Sequence, residues 1–198
     1  MLQNLNQKPE VIDFIKKYIH NPRGFLLLSG TNGTGKTFTA MKIYEAISPY
    51  KLPDYDSDCA MFFTQADMNM KFSKDAMNGG AGYFLDRVVS TKLLIIDDLG
   101  TRTPSEAFMD FLYTVADSRY NEKNSKGTII TTNMDSRMMQ DKFGTAFFSR
   151  VASGQCFRFD GKDRRVDAHK TALEPQGCII PIDSEEYANK HQTTRKVP

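Results

Sequence analysis

"GFLLLSGTNGTGKT", residues 24–37, decides the fold. A short apolar run ends in glycine, and a glycine-rich stretch then leads into "KTFTAMKIYEAI" (36–47), which reads as a helix. Taken as strand, loop and helix, residues 30–37 match the pattern G-x-x-x-x-G-K-[ST] in the context that pattern requires. Gly30, Gly33 and Gly35 let the backbone curl so that successive N–H groups point inward. The N-terminus of the following helix adds positive potential. Together they form a cradle for the phosphates of a nucleoside triphosphate. Gly30, Thr31, Asn32, Gly33, Thr34, Gly35, Lys36, Thr37 and Phe38 are the candidate nucleotide-binding residues. Lys36 can reach the β- and γ-phosphates, and the Thr37 hydroxyl can hold Mg²⁺.

Working outward, "LLIIDDLG" (93–100) drives four aliphatic residues straight into two acids. A buried carboxylate is costly unless a cation meets it. Beside a phosphate loop, Asp97 is the candidate metal ligand and Asp98 is placed to polarise an attacking water. Glutamate is usual at the second position; aspartate is shorter, so the water must sit closer to the backbone. "TIITTN" (128–133) repeats the pattern, with polar groups delivered at the C-terminal edge where open α/β sheets bind ligands. Asn133 there either touches the γ-phosphate or the attacking water, or caps the next helix near Asp135 or Ser136. "FFSRVASG" carries Arg150, which is either a surface charge or an arginine finger serving a neighbouring subunit.

The rest of the chain supplies the alternation these motifs need. "PEVIDFIKKYIH" (9–20) has apolar residues at helical spacing, "AMFFTQ" (60–65) reads as a strand, and 66–90 is ambiguous apart from a helical "YFLDRVVS". "TPSEAFMDFLYTVADSRY" has a capping-box pattern from Thr103 to Glu106, with Pro104 at the first helical position. Short helices around 136–152 precede a last strand, "CFRFD" (156–160). Strands alternating with helices four or five times predict a mainly parallel sheet covered on both faces. The tail from 161 to 198 is polar with one apolar patch, "CIIPI", and its end, "NKHQTTRKVP", is expected to be frayed or disordered.

Composition adds little to function but excludes several classes. With 26 basic against 24 acidic residues, no global field announces a nucleic-acid partner. Tyr and Phe show no stacking pattern for single strands. Three scattered cysteines, Cys59, Cys156 and Cys178, suit a reducing compartment with free thiols. No signal peptide and no membrane-length apolar run is apparent, so the expected location is cytoplasmic, with no membrane partner.

"GTNGTGKT", "LLIIDDLG", "LYTVADSRYNEKNSKGTIITTN", "FFSRVASG" and "FDGKDRR" together resemble the AAA+ ATPase domain of the DnaC/IstB group over about residues 8–165. That group comprises bacterial replicative-helicase loaders and transposition helper ATPases. The resemblance implies an α/β P-loop NTPase of AAA+ type: a mainly parallel five-stranded sheet flanked by helices, without a C-terminal helical lid. It implies an ATPase domain over 1–165 with a short N-terminal helix, and a partly disordered extension over 166–198. It further implies that Lys36 and Thr37 bind ATP/ADP and Mg²⁺, and that Asp97 and Asp98 form the Walker B pair. Asn133 becomes sensor 1 and Arg150 a trans-acting finger. The implied activity is Mg²⁺-dependent ATP hydrolysis by a helicase loader or replication helper. It would form head-to-tail oligomers on ATP binding, with a replicative helicase or transposase and single-stranded DNA as partners. Two features depart from the group. Thr145 and Ala146 stand where an extra arginine often precedes "SR", and only about 23 residues precede the loop's strand, which suits a minimal phage or mobile-element version. A nucleotide-gated switch with little turnover is an alternative. A small-molecule kinase fits "IIDDLG" with "TTN" poorly.

Overall fold

A computed structural model describes residues 7–48, 59–161 and 163. Among these residues five strands and seven helices follow one another: α1 Pro9–His20, β1 Gly24–Gly30, α2 Lys36–Ile47, β2 Ala60–Thr64, α3 Gln65–Met77, α4 Ala81–Ser90, β3 Leu93–Leu99, α5 Glu106–Asn121, β4 Gly127–Thr132, α6 Ser136–Phe143, α7 Thr145–Val151 and β5 Gln155–Phe159. All the strand pairings are parallel, and the sheet order is β2-β3-β4-β1-β5.

The uninterrupted apolar strands follow from this arrangement. Successive strand residues point to opposite faces, and both faces are covered by helices. Leu26, Leu28, Leu93, Ile95 and Ile129 pack with Val11, Ile15 and Tyr18 of α1 and Ala40 and Ile43 of α2. Their alternates Phe25, Leu27, Leu94, Ile96 and Ile130 face the larger layer, with Phe84, Phe108, Phe111, Phe143 and Phe147 among its members.

Three local details differ from the expectations. The ambiguous stretch after β2 is two helices: α3, and α4, which contains the expected helical "YFLDRVVS"; the Thr64 hydroxyl caps α3 by accepting from the Asp67 amide at 3.1 Å. Helix α5 starts later than its capping-box pattern suggests: Ser105, not Thr103, is the cap and accepts from the Phe108 amide. Pro104 therefore precedes the helix instead of opening it. Asp135, not Asn133, caps α6 through a 2.8 Å bond from the Met138 amide. Among the described residues no helix follows β5. The proposed extension over 166–198, together with Arg164, Arg165 and Cys178, lies outside the described residues.

Candidate nucleotide site

The strand order places the candidate groups. β4 lies between β1 and β3, so the loop after β1 and the acids of β3 are not on neighbouring strands. The β4 tip sits between them. Open α/β sheets bind ligands at this carboxyl edge.

The loop itself requires glycine. Gly30, Gly33 and Gly35 have φ of 128°, 70° and 96°, in the region that side chains other than glycine's rarely enter. A methyl at Gly30 would also run into the Phe159 backbone of β5, and one at Gly33 into the Asp163 carboxylate. The buried Thr34 hydroxyl donates to Thr31 O at 2.8 Å. Lys36 is only 5% exposed, and its ammonium donates to Gly30 O at 2.9 Å and Thr31 O at 2.7 Å. The cation thus lies across the curled backbone. Phe38 is exposed on the first turn of α2, with the Lys42 ammonium 5.5 Å from its ring centre.

The two adjacent aspartates are separated by a bulge. β3 pairs with β4 through Ile96↔Ile130 and then Leu99↔Thr132, so β3 carries one extra residue. Asp98 absorbs it with φ of 55° and is the one non-glycine residue in the left-handed region among those described. Aspartate tolerates that region better than most residues. Thr131 fastens the bulge from β4: its hydroxyl donates to Asp97 Oδ1 at 2.5 Å and accepts from the Asp98 amide at 2.9 Å. Asp97 is 2% exposed, and Thr37 lies close enough to act on its carboxyl. Burial raises its carboxyl above the usual range and the Asp98 charge adds to this, while Thr131 and Thr37 oppose it.

These groups fit Mg²⁺ and a triphosphate. A desolvated carboxylate and the hydroxyl that follows the loop lysine are the kind of oxygen donors that a magnesium ion shared between protein and phosphates takes. Asn133, exposed at the β4 tip, lines a cleft with Gly30 and Thr31 of the loop, Asp135 and Met138 of α6, and Arg158 of β5. Arg150 is not brought to this cleft. It lies on α7, where Nε and Nη2 sit 2.7 and 2.6 Å from Asp117 Oδ1 of α5.

Sequence reasoning missed several residues. Thr131 was passed over for Asn133, although the paired threonines before it were the available signal. Gln65 is buried at the tip of β2; it accepts from the Gly100 amide at 2.7 Å and donates to Arg102 O at 3.1 Å, so it fixes the turn after the aspartates. Lys142 of α6 donates to Gly100 O at 2.7 Å. Arg158 reaches the cleft because Ser29 pairs with it across the sheet, a neighbour relation that linear sequence does not show.

A parallel five-stranded sheet with this loop, this acid pair and this strand order defines a P-loop nucleotide-binding protein of the AAA+ class. The family model for IstB-like ATP binding proteins matches residues 10–152, so the chain belongs to that family. No curated protein matches it. Among solved structures, AMPPCP-bound DnaA from Aquifex aeolicus is similar at TM-score 0.67 and 17% identity, over 89% of this chain and 56% of that one. The DnaC helicase loader is similar at 0.65 and 23%, over 80% and 96%. DnaA bound to AMPPCP and single-stranded DNA is similar at 0.69 and 16%, over 88% and 56%. The chain therefore spans about half the length of these DnaA chains. Among the described residues no helix is long and apolar enough to cross a membrane.

Proposed function

We propose that the chain is a Mg²⁺-dependent ATPase that acts as a helicase loader or DNA-replication helper and assembles head-to-tail on ATP binding. The observation that carries the reading is the link from buried Asp97 through Thr131 to the Asp98 bulge, at the same sheet edge as the Lys36 cradle. Lys36 and the loop amides would hold the phosphates, and Thr37 and Asp97 would hold the metal. Bound Mg²⁺ would neutralise charge on the β- and γ-phosphates. Asp98 orients and polarises the attacking water, and Asn133 contacts it or the γ-phosphate. Arg150 serves the site of the adjacent subunit.

The DnaC helicase loader, matched over 96% of its length, favours a helicase partner. DnaA bound to single-stranded DNA favours that ligand. The family match favours a second reading, a transposition helper whose partner is a transposase. Purified protein should hydrolyse ATP with Mg²⁺, faster with single-stranded DNA or a replicative helicase. A pull-down offering helicase and transposase separates the two readings. Phosphoryl transfer to a metabolite, with no hydrolysis under either condition, would replace both with a kinase.

A further inference from the structure

Most ion pairs among the described residues are local. Lys16–Asp13, Lys42–Glu45, Lys71–Asp75, Lys126–Glu122, Arg137–Asp141 and Arg158–Asp160 each join residues no more than four apart. Such pairs lie on solvated faces and contribute little. Arg150–Asp117 differs: it joins two helices across 33 positions, and one carboxylate oxygen receives both Nε and Nη2. Nη1 donates to Ala146 O at 2.9 Å, fixing the plane of the guanidinium against its own helix. The pair is partly open, with side chains 31% and 50% exposed, so neither charge needs a partner to tolerate burial.

One turn earlier on α5, Tyr113 grips the other end of α7. Its hydroxyl donates to Phe143 O at 2.8 Å, and its ring lies edge-on to Phe147 at 5.7 Å between centres. A side chain at Gly144, the turn between α6 and α7, would collide with that hydroxyl. Tyr113 and Asp117 are four apart and share one face of α5. That face therefore holds α7 at its start and at its arginine.

We propose that Asp117 is a positioning residue for the arginine finger, presenting Arg150 in a fixed orientation to the neighbouring subunit's phosphates. This rests on the trans-finger reading above. A guanidinium has five donors in a rigid fork, so anchoring one edge leaves N–H groups to meet a phosphate. Holding the group in advance removes the ordering cost from the reaction step, and small misplacements of such groups are costly.

Mixed assemblies test it. K36A supplies a finger but no working cradle, and R150A supplies a cradle but no finger; mixed, they should recover ATP turnover. Placing D117A in the K36A partner should cut that recovery by about tenfold or more, with KM for ATP unchanged. D117N, which keeps an acceptor, should fall between. The same D117A change in the R150A partner should leave recovery where it was. Equal loss on both sides would make Asp117 a structural residue and overturn the proposal, and D117N guards against a fold defect in D117A. A rise in recovery would mean that Asp117 restrains the finger, which also overturns it. No recovery from K36A with R150A would defeat the trans-finger reading itself, and this inference with it.

Discussion

Asp97 is the residue on which the site's cost and use meet. Its carboxyl is raised by burial, so the folded chain holds a proton there at pH values where the unfolded chain has released it. Stability from this group is complete below the ordinary carboxylate pKa and is lost as pH rises through the folded value. At neutral pH the ionised form is a liability that a bound cation would relieve. Asp97→Asn keeps an acceptor for Thr131 and removes the charge. Without nucleotide and Mg²⁺ it should melt above wild type at pH 7, with the gap closing toward acid pH, and should lose Mg²⁺-dependent turnover. Calorimetric melts across pH check this, and a lower melting temperature at pH 7 would contradict it. Thr131 gives a second test. Thr131→Val removes the bond to Asp97 and leaves the Asp98 amide without its acceptor, for a loss of about 1–3 kcal/mol, measurable by denaturant titration together with reduced turnover. The aspartates were legible as a pair from the sequence. The bulge was not, because it exists only in the pairing of β3 with β4.

Among the elements, α5 does more than cover the sheet. Arg119 near its end is fully buried, and its Nε donates to Thr128 Oγ1 at 2.7 Å. Nη1 reaches Val88 O, Val89 O and Thr91 O at 2.9–3.0 Å, and Nη2 reaches Gly127 O. One side chain thus ties the end of α4 to the starts of β3 and β4. Its hydrogen bonds all go to neutral oxygens, and burial pulls its pKa down to about 10. Arg119→Met should cost about 3–5 kcal/mol in denaturant unfolding, because buried carbonyls lose their donor. Lysine should not rescue it, since a single ammonium cannot span these acceptors. Nothing in the sequence distinguishes this buried arginine from an exposed one. Strands β1, β3 and β4 were legible from their central runs of aliphatic residues, as burial on both faces demands. Helix α4 was legible over "YFLDRVVS" but helix α3 was not. α3 buries only Gln65 and Met68 and exposes Met70 and Met77, so its apolar spacing is weak.

For the whole molecule, the class was readable because a phosphate loop, an acid-tipped strand and a polar-tipped strand recur in fixed order. Their arrangement was less so: with β4 inserted between β1 and β3, Asn133 comes to line a cleft with the loop, and Arg158 enters from β5. Arg150 stands apart from that cleft in its own chain. Arg150→Ala should therefore leave nucleotide affinity nearly intact while lowering turnover by three orders of magnitude or so. Titration of a fluorescent nucleotide alongside phosphate release checks this, and equal loss of binding would make Arg150 a residue of its own chain's site. The central claim is that the Lys36 cradle and the Asp97–Asp98 bulge form one hydrolytic site. Asp98→Asn tests it most directly, by measuring Mg²⁺-ATP affinity and single-turnover hydrolysis in the same preparation. The account predicts near wild-type affinity with hydrolysis slowed roughly 100-fold or more; hydrolysis at the wild-type rate would contradict it.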